Sequence, residues 1–311
     1  MRSGRRRWWW TLGLGAGMLA LVAGGIAFAL LTEPRPVFAD PAAAPLKDGD
    51  AAKGALVFAA GDCSSCHASP GQGDRLRLGG GMALASPYGT FRPPNISPHP
   101  TDGIGRWSAA DLVNALLSGV SPGHEHYYPA LPYPAYAHMT LGDVADLMAY
   151  LRGLAPVAGR PPEHELSFPL TVRRFVGMWK VLFLDRTTIT PDPARDAEWN
   201  RGHYLVEAVA HCAECHSSRN LLGAIVEDTR FAGGPDPSGI GYIPNITPAR
   251  IGDWSKADIV EVLTTGRTPR GQTVGSSMAD VVTNTAMLPE SDRQAIAAFI
   301  KSLPARETPA P

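Results

Sequence analysis

Residues 53–67 (KGALVFAAGDCSSCH) return as residues 201–216 (RGHYLVEAVAHCAECH), and that recurrence limits the fold more than any other feature of the chain. Three further pairs follow in the same order. PNISP (94–98) matches PNITP (244–248), GIGRWSAADLVNALLSG (103–119) matches RIGDWSKADIVEVLTTG (250–266), and LGDVADLMAYLRGL (141–154) matches ESDRQAIAAFIKSL (290–303). A period this long marks a duplicated domain rather than a solenoid, because each copy has enough residues to enclose a core. Each copy reads as mostly helix. A first helix carries the cysteines, a middle one starts at Ser108 or Ser255 with Asp111 or Asp258 placed as in a capping box, and a last one has an apolar stripe. That stripe is Val144, Leu147, Met148 and Leu151 in one copy and Ile296, Phe299 and Ile300 in the other.

All four cysteines lie in the recurring segments, as Cys63-Ser-Ser-Cys66-His67 and Cys212-Ala-Glu-Cys215-His216. On one helical turn, sulfurs spaced C-x-x-C face the same side, where each can form a thioether to a haem vinyl group, and the next histidine can bind the iron. Cys63, Cys66, Cys212 and Cys215 are therefore the expected attachment points of two covalently bound haem c groups, with His67 and His216 as proximal ligands. Two other chemistries use paired cysteines. A thioredoxin-like site needs a βαβ context that the sequence lacks, and a zinc site built on the four thiolates leaves both histidines without a role.

Electron-carrying haems usually take methionine or a second histidine as sixth ligand. In the first copy the candidates are Met82, Met139, Met148, His99, His124, His126 and His138. Met148 belongs to the last helix's stripe and Met82 to a Gly-rich loop, whereas Met139 stands in the segment that must return across the haem face. Met139 is favoured; His126 or His138 would give a bis-histidine haem of lower potential. In the second copy Met278 and Met287 compete. The last helix aligns Leu288, not Met287, with Met139, and Met278 follows a Gly-Ser-Ser turn that can thrust it inward, so Met278 is favoured. Asn95 and Asn245 match N-x-[ST] but read as turn formers beside the haem.

Arg2, Arg5, Arg6 and Arg7 precede 24 uncharged residues, Trp8 to Leu31. A helix of about 20 apolar residues crosses a bilayer. Trp8, Trp9 and Trp10 suit the headgroup belt, and the arginines keep that end cytoplasmic. The expectation is a single-pass anchor in the inner membrane with the body in the periplasm. Val37-Phe38-Ala39 offers a cleavage site, so a removed signal peptide is the alternative, although the apolar run exceeds the roughly 7–15 residues of a signal core. The chain's formal charge is -1, so the arginine cluster leaves the body acidic. An acidic body gives no basis for nucleic-acid binding and suits a small, transient contact with a redox partner.

With 33 glycines and 29 prolines, long loops between modest helices are expected, and strand-like alternation is hardly present. The predicted fold is mainly α: an anchor over 1–35, a class I cytochrome c-like domain over 46–155, a linker over 156–198, and a second such domain in tandem over 199–305. The linker contains TVRRFVGMWKVLFLD (171–185), read as a helix bridging the two domains, with a place on the membrane surface as the alternative.

RGHYLVEAVAHCAECHSSRNLLG, PNITP, GDWSKADIVEVLTTG and SSMADVV resemble the second haem module of the cytochrome subunits of membrane-bound alcohol, gluconate and aldehyde dehydrogenases. PYGTFRPPNISPHPTDGIGRWSAADLV and YYPALPYPAYAHMTLGDVADLMAYL are similarly close to an upstream module, and the likeness covers roughly residues 46–305. The resemblance implies His/Met ligation, with Met278 matching. It also implies electron transfer from a periplasmic dehydrogenase to a cytochrome, oxidase or quinone. Many such subunits carry three C-x-x-C-H modules, so two place this chain with the dihaem branch. Some carry Met-Pro-Tyr where Leu131-Pro132-Tyr133 stands, leaving Met139 as the substitute. The competing functions are a dihaem enzyme, peroxidase-like or thiosulfate-oxidising, and a haem sensor. A peroxidase needs an open iron position, cysteine ligation needs a cysteine outside the two motifs, and no signalling domain accompanies the modules. Electron transfer therefore leads.

Overall fold

The computed structural model describes residues 3–239 and 241–310, with side chains from residue 13 onward. The expectations for the arginine cluster and for Trp8, Trp9 and Trp10 concern side chains outside the described residues. Helix α1 (Ser3–Leu31) is uninterrupted. Its stretch Gly13–Leu31 has a mean hydropathy of 2.2 and none of it is buried against the protein. At the α-helical rise those residues cover about 28 Å, the thickness of a bilayer's hydrocarbon core.

The body follows as α2 (Ala51–Ala60), α3 (Cys63–His67), α4 (Ala109–Ser118), α5 (Tyr133–Tyr136) and α6 (Leu141–Arg152). After α7 (Arg174–Phe183), the order continues with α8 (Ala197–Tyr204), which runs into a π-helical turn (Leu205–Val209), and α9 (Cys212–His216). The last four are α10 (Pro248–Ile251), α11 (Lys256–Thr265), α12 (Ser277–Thr285) and α13 (Glu290–Ser302). Strands are short. β1 (Leu84–Ser86), β2 (Gly89–Phe91) and β3 (Glu165–Leu166) form an antiparallel sheet, with Gly89 opposite Leu166. β4 (Gly234–Pro235) pairs with β5 (Tyr242–Ile243).

Local signals in the sequence set several of these boundaries. The Ser108 hydroxyl accepts the Asp111 N–H at 3.1 Å while the Asp111 carboxylate accepts the Ser108 N–H, and Ser255 and Asp258 repeat the arrangement. Both helices close on a left-handed glycine, Gly119 or Gly266. The predicted stripes of α6 and α13 are buried. In each half the first helix crosses the last at a glycine. A Cβ at Gly54 would overlap the carbonyl of Asp146, and one at Gly202 the carbonyl of Ala295.

One expectation is corrected. The C-x-x-C-H motifs do not sit on the first helices. Asp62 (φ 51°) and His211 (φ 41°) take left-handed backbone, and Cys63 and Cys212 each begin a separate turn. The break separates each attachment turn from the helix before it, while Cys63 and Cys212 still pack against the core. The buried cluster is continuous, joining Phe58, Val113, Val144 and Met148 to Leu205, Val206, Val209 and Ile296.

Helix α7 contacts both halves. Lys180 Nζ donates to the carbonyls of Ser118 (2.8 Å) and Gly119 (2.6 Å), and the Trp179 indole N–H donates to that of Leu222 (2.9 Å). Burial pushes Lys180 down to about 7.

The Gly202→Ala variant forces α8 away from α13 and is expected to lose about 1–3 kcal/mol or more of stability through overpacking. Gly142→Ala, where a Cβ meets no atom closer than 3.8 Å, is expected to be neutral or mildly stabilising. Thermal unfolding followed by circular dichroism checks both, and equal midpoints for the two variants would contradict this packing.

Candidate functional site

The short turns α3 and α9 gather the six residues picked out by the motif. Cys63, Cys66 and Cys212 are half-buried and Cys215 is exposed at one edge. Burial pushes the thiols of Cys63, Cys66 and Cys212 up to about 12 and that of Cys215 up to about 11, and nearby carboxylates add to this. Such thiols are neutral at pH 7, unlike the activated thiolates of redox or nucleophilic sites. Among the described residues no three His, Cys, Asp or Glu side chains converge to hold a metal ion. What remains is two neutral sulfurs one turn apart with an imidazole beside them, a donor set that fits covalent haem.

The imidazoles are oriented alike. His67 Nδ1 lies 2.8 Å from the carbonyl oxygen of Pro94, and His216 Nδ1 lies 2.7 Å from that of Pro244. A carbonyl can only accept, so Nδ1 carries the proton and Nε2 keeps its lone pair for a metal. Burial holds both rings below the usual histidine range, which favours the neutral, ligating form.

The loops supplying those carbonyls are themselves pinned. Asn95 Nδ2 donates to the carbonyls of Val157 (2.7 Å) and Gly159 (3.0 Å), and its Oδ1 accepts the Ser97 N–H. Asn245 donates to the carbonyl of Arg306 (2.7 Å) and accepts the Thr247 N–H. Both asparagines are buried, as suits the turn-forming role expected for them. The Gly80 and Gly233 N–H groups donate to the carbonyls of His67 and His216, each at 2.8 Å. At both glycines φ is positive, and a Cβ would press on the neighbouring strand of loop.

The favoured methionines occupy different surroundings. Met139 is buried just after α5. Met278 is half-buried in the first turn of α12, following Ser276, whose φ is 52°. Met148 is buried within the α6 stripe, Met82 is half-buried in its loop, Met287 is exposed and Leu288 is buried. Of the histidines offered as alternatives, His126 has both ring nitrogens engaged, Nε2 with the Thr32 carbonyl at 2.8 Å and Nδ1 with Lys180 Nζ at 3.1 Å, and His124 is exposed, whereas His138 is half-buried with Nδ1 on the Thr187 carbonyl at 2.5 Å.

The two turns adjoin through the residues that lead into them, Gly61 and His211. Each half reaches onto the other's turn. From α5, the Tyr136 ring meets His211 edge-on at 5.5 Å, and His211 Nε2 lies 3.2 Å from the Gly61 carbonyl. From α12, Asn284 donates to the Asp62 carboxylate and to Ser65 Oγ (3.2 Å) and accepts from Ser64 Oγ (3.1 Å), while Arg75 and Asp280 form a 2.7 Å ion pair. The helix that opens with Met278 thus grips the CSSCH turn. Nothing local in the sequence singles out Asn284, because its partners lie some 220 positions away. Burial dominates at Asp62 and raises its carboxyl despite these bonds.

Comparison with known proteins agrees with this chemistry. Residues 51–155 match the cytochrome c family model. The chain is 47% identical over 296 residues to a dihaem cytochrome c-type protein of Cereibacter sphaeroides, covering 94% of this chain and 99% of that one. It is 34% identical to the fructose dehydrogenase cytochrome subunit of Gluconobacter japonicus over 92% of this chain. It is 37% identical to the cytochrome c subunit of the quinone-dependent alcohol dehydrogenase of Gluconacetobacter polyoxogenes over 86% of this chain. It spans 58% and 59% of those two subunits.

Replacing Asn284 with alanine strands the buried Ser64 hydroxyl and leaves the Asp62 carboxylate with Ser65 Oγ as its remaining side-chain donor, at an expected cost of about 1–3 kcal/mol. Denaturant unfolding measures it. A variant as stable as the parent would show that the contact between α12 and the first turn carries no weight.

Proposed function

The chain belongs to the cytochrome c family, and from that premise we propose that it is a membrane-anchored dihaem electron carrier. It serves a periplasmic dehydrogenase as donor and a cytochrome, oxidase or quinone of the respiratory chain as acceptor. The body consists of two tandem haem domains, residues 46–155 and 199–305, separated by the linker over 156–198. Cys63 and Cys66 bind one haem c covalently and Cys212 and Cys215 the other. His67 and Met139 close the first iron, and His216 and Met278 the second. The anchor over residues 1–35 holds the chain in the inner membrane with its body on the periplasmic side.

The observation that carries this reading is the matched orientation of the two imidazoles. Each proximal ring donates Nδ1–H to a proline carbonyl and presents a bare Nε2 beside a C-x-x-C turn. When bound, each haem supplies a one-electron iron couple. The chain's own residues do the remainder. The Pro94 and Pro244 carbonyls fix the tautomer and raise the basicity of the ligating nitrogen. Met139, buried in the core, and Met278, tethered through α12, complete the coordination so that neither iron is left open to substrate. Tyr136, His211, Asn284 and the Ser64–Ser65 hydroxyls hold the two turns in register. Support for the donor comes from the relatives: the two partial matches above are cytochrome subunits of dehydrogenases, which is said of those proteins by name.

Met139→Ala and Met278→Ala are each expected to keep both haems attached, to lower one midpoint potential, to weaken the methionine–iron charge-transfer band and to admit carbon monoxide at one iron. A redox titration with optical detection checks this. Wild-type potentials and spectra in both variants would refute the ligand assignment, and carbon monoxide binding by the unaltered protein would turn the reading towards an enzyme with an open iron.

A further inference from the structure

Helix α7 buries its lysine and leaves apolar side chains outside, although Val176 packs inward on Phe91 and Tyr128. The residues it turns to the protein are Val176, Gly177 and Lys180. Gly177 packs so closely that a Cβ there would stand 2.6 Å from the Thr32 carbonyl oxygen, and Lys180 Nζ lies 3.1 Å from His126 Nδ1. The residues turned outward are Phe175, Val181 and Leu182, the last 59% exposed. Just ahead of the helix, Phe168 is 78% exposed and Val172 is open as well. A helix facing water has the opposite arrangement, with charge outside and apolar groups within. Single exposed apolar side chains need no explanation, but a group gathered along one element does. The group also extends sideways. The Trp179–Leu222 hydrogen bond sets the Leu221-Leu222 pair beside α7, and Leu221 is 96% exposed.

The position of α7 says what covers this face. The Phe175 ring packs edge-on against Phe28 of α1 at 5.8 Å. The Arg174 guanidinium donates to the Ala29 carbonyl and to Thr32 Oγ1 (2.9 Å). Phe28 lies within the last turn of α1, so its depth is that of the outer edge of the hydrocarbon if α1 spans a bilayer. Phe175 shares that depth. Four basic side chains gather at the same level. Arg35 donates to the Leu30 carbonyl, Arg186 to that of Arg35, and Arg173 and Arg174 open α7. Arginine stems along apolar surface with their heads among lipid phosphates are the usual dress of such a boundary.

We propose that α7, together with Phe168, Val172 and the Leu221-Leu222 loop, is a second membrane element that lies in the plane of the bilayer surface, its occupant being phospholipid. The apolar side chains enter the outer hydrocarbon and the arginines meet the phosphates. The loop that follows Cys215-His216 is thereby set at the membrane, and the body is held by two attachments instead of one. The inference rests on α1 spanning the bilayer.

The test uses the full haem-loaded chain in nanodiscs of phosphatidylcholine and phosphatidylglycerol, with a fraction of the lipid carrying a diazirine in its acyl chain. After photolysis, lipid adducts are mapped by peptide mass spectrometry. Adducts are expected within residues 13–31, 168–182 and 221–222. A Phe175→Glu/Leu182→Glu variant, its haem spectrum and helix content unchanged, is expected to lose those of α7 and keep those of α1. Adducts confined to α1 would overturn the proposal and leave the anchor standing, pointing to water or a protein partner over α7. No adducts in α1 would overturn the anchor reading and this inference with it.

Discussion

Everything at the two candidate haem sites hangs on a hydrogen bond from an imidazole Nδ1 to a proline carbonyl. That bond, 2.8 Å at His67 and 2.7 Å at His216, decides which ring nitrogen is free and where it points. It holds only if the carbonyl is immobile, and proline has no N–H to tie its own loop down. Asn95 and Asn245 supply the missing ties by donating to the chain that follows the last helix of each half. That chain is placed in turn by α6 or α13, and these by the glycine contacts with α2 and α8. The ligand geometry thus traces back through three layers of packing to a position where only glycine fits.

The halves share more than a sequence pattern. One apolar core runs through both, and the segments just ahead of the last helices, α5 and α12, are exchanged onto the opposite attachment turn. A carrier with two redox centres gains from such an exchange. If the turns adjoin and are cross-braced, the distance between the centres is set by the fold and not by a flexible linker. The bracing groups are polar and buried, Asn284 above all, so the arrangement is specific: a slipped register would leave those groups without partners.

What could be read from the sequence was whatever is decided within a turn or two. The C-x-x-C-H spacing, the Ser108–Asp111 and Ser255–Asp258 caps, the buried stripes of α6 and α13 and the apolar run of α1 all have partners close by in sequence. The left-handed breaks at Asp62 and His211 escaped because neither residue is glycine, and what demands the conformation is the direction in which the turn must face. Asn284 and the Pro94 and Pro244 carbonyls escaped because their partners lie in distant segments. A weak trace of the carbonyls was nonetheless present: PNISP and PNITP recur with little change, and a recurring turn with no chemistry of its own marks a structural service to something that has it.

Helix α7 was legible as amphipathic, yet the direction of its two faces was not. Periodicity reports that apolar residues share a side; it cannot report that the side faces away from the protein. Only the polar interior at Lys180 and His126 fixes the sense, and it does so together with the root of the anchor. His126, Arg174 and Asn114 bind Thr32, Ala29 and Phe38, so the chain leaving α1 is fastened to the body over its first residues. A body fastened in this way does not swing on a tether. If α1 spans a membrane, the body's approach to a redox partner there would reduce to lateral diffusion and rotation about one axis, which raises the fraction of encounters that bring the same face forward. For a carrier whose contact must be brief, a fixed orientation would give selectivity without a large interface.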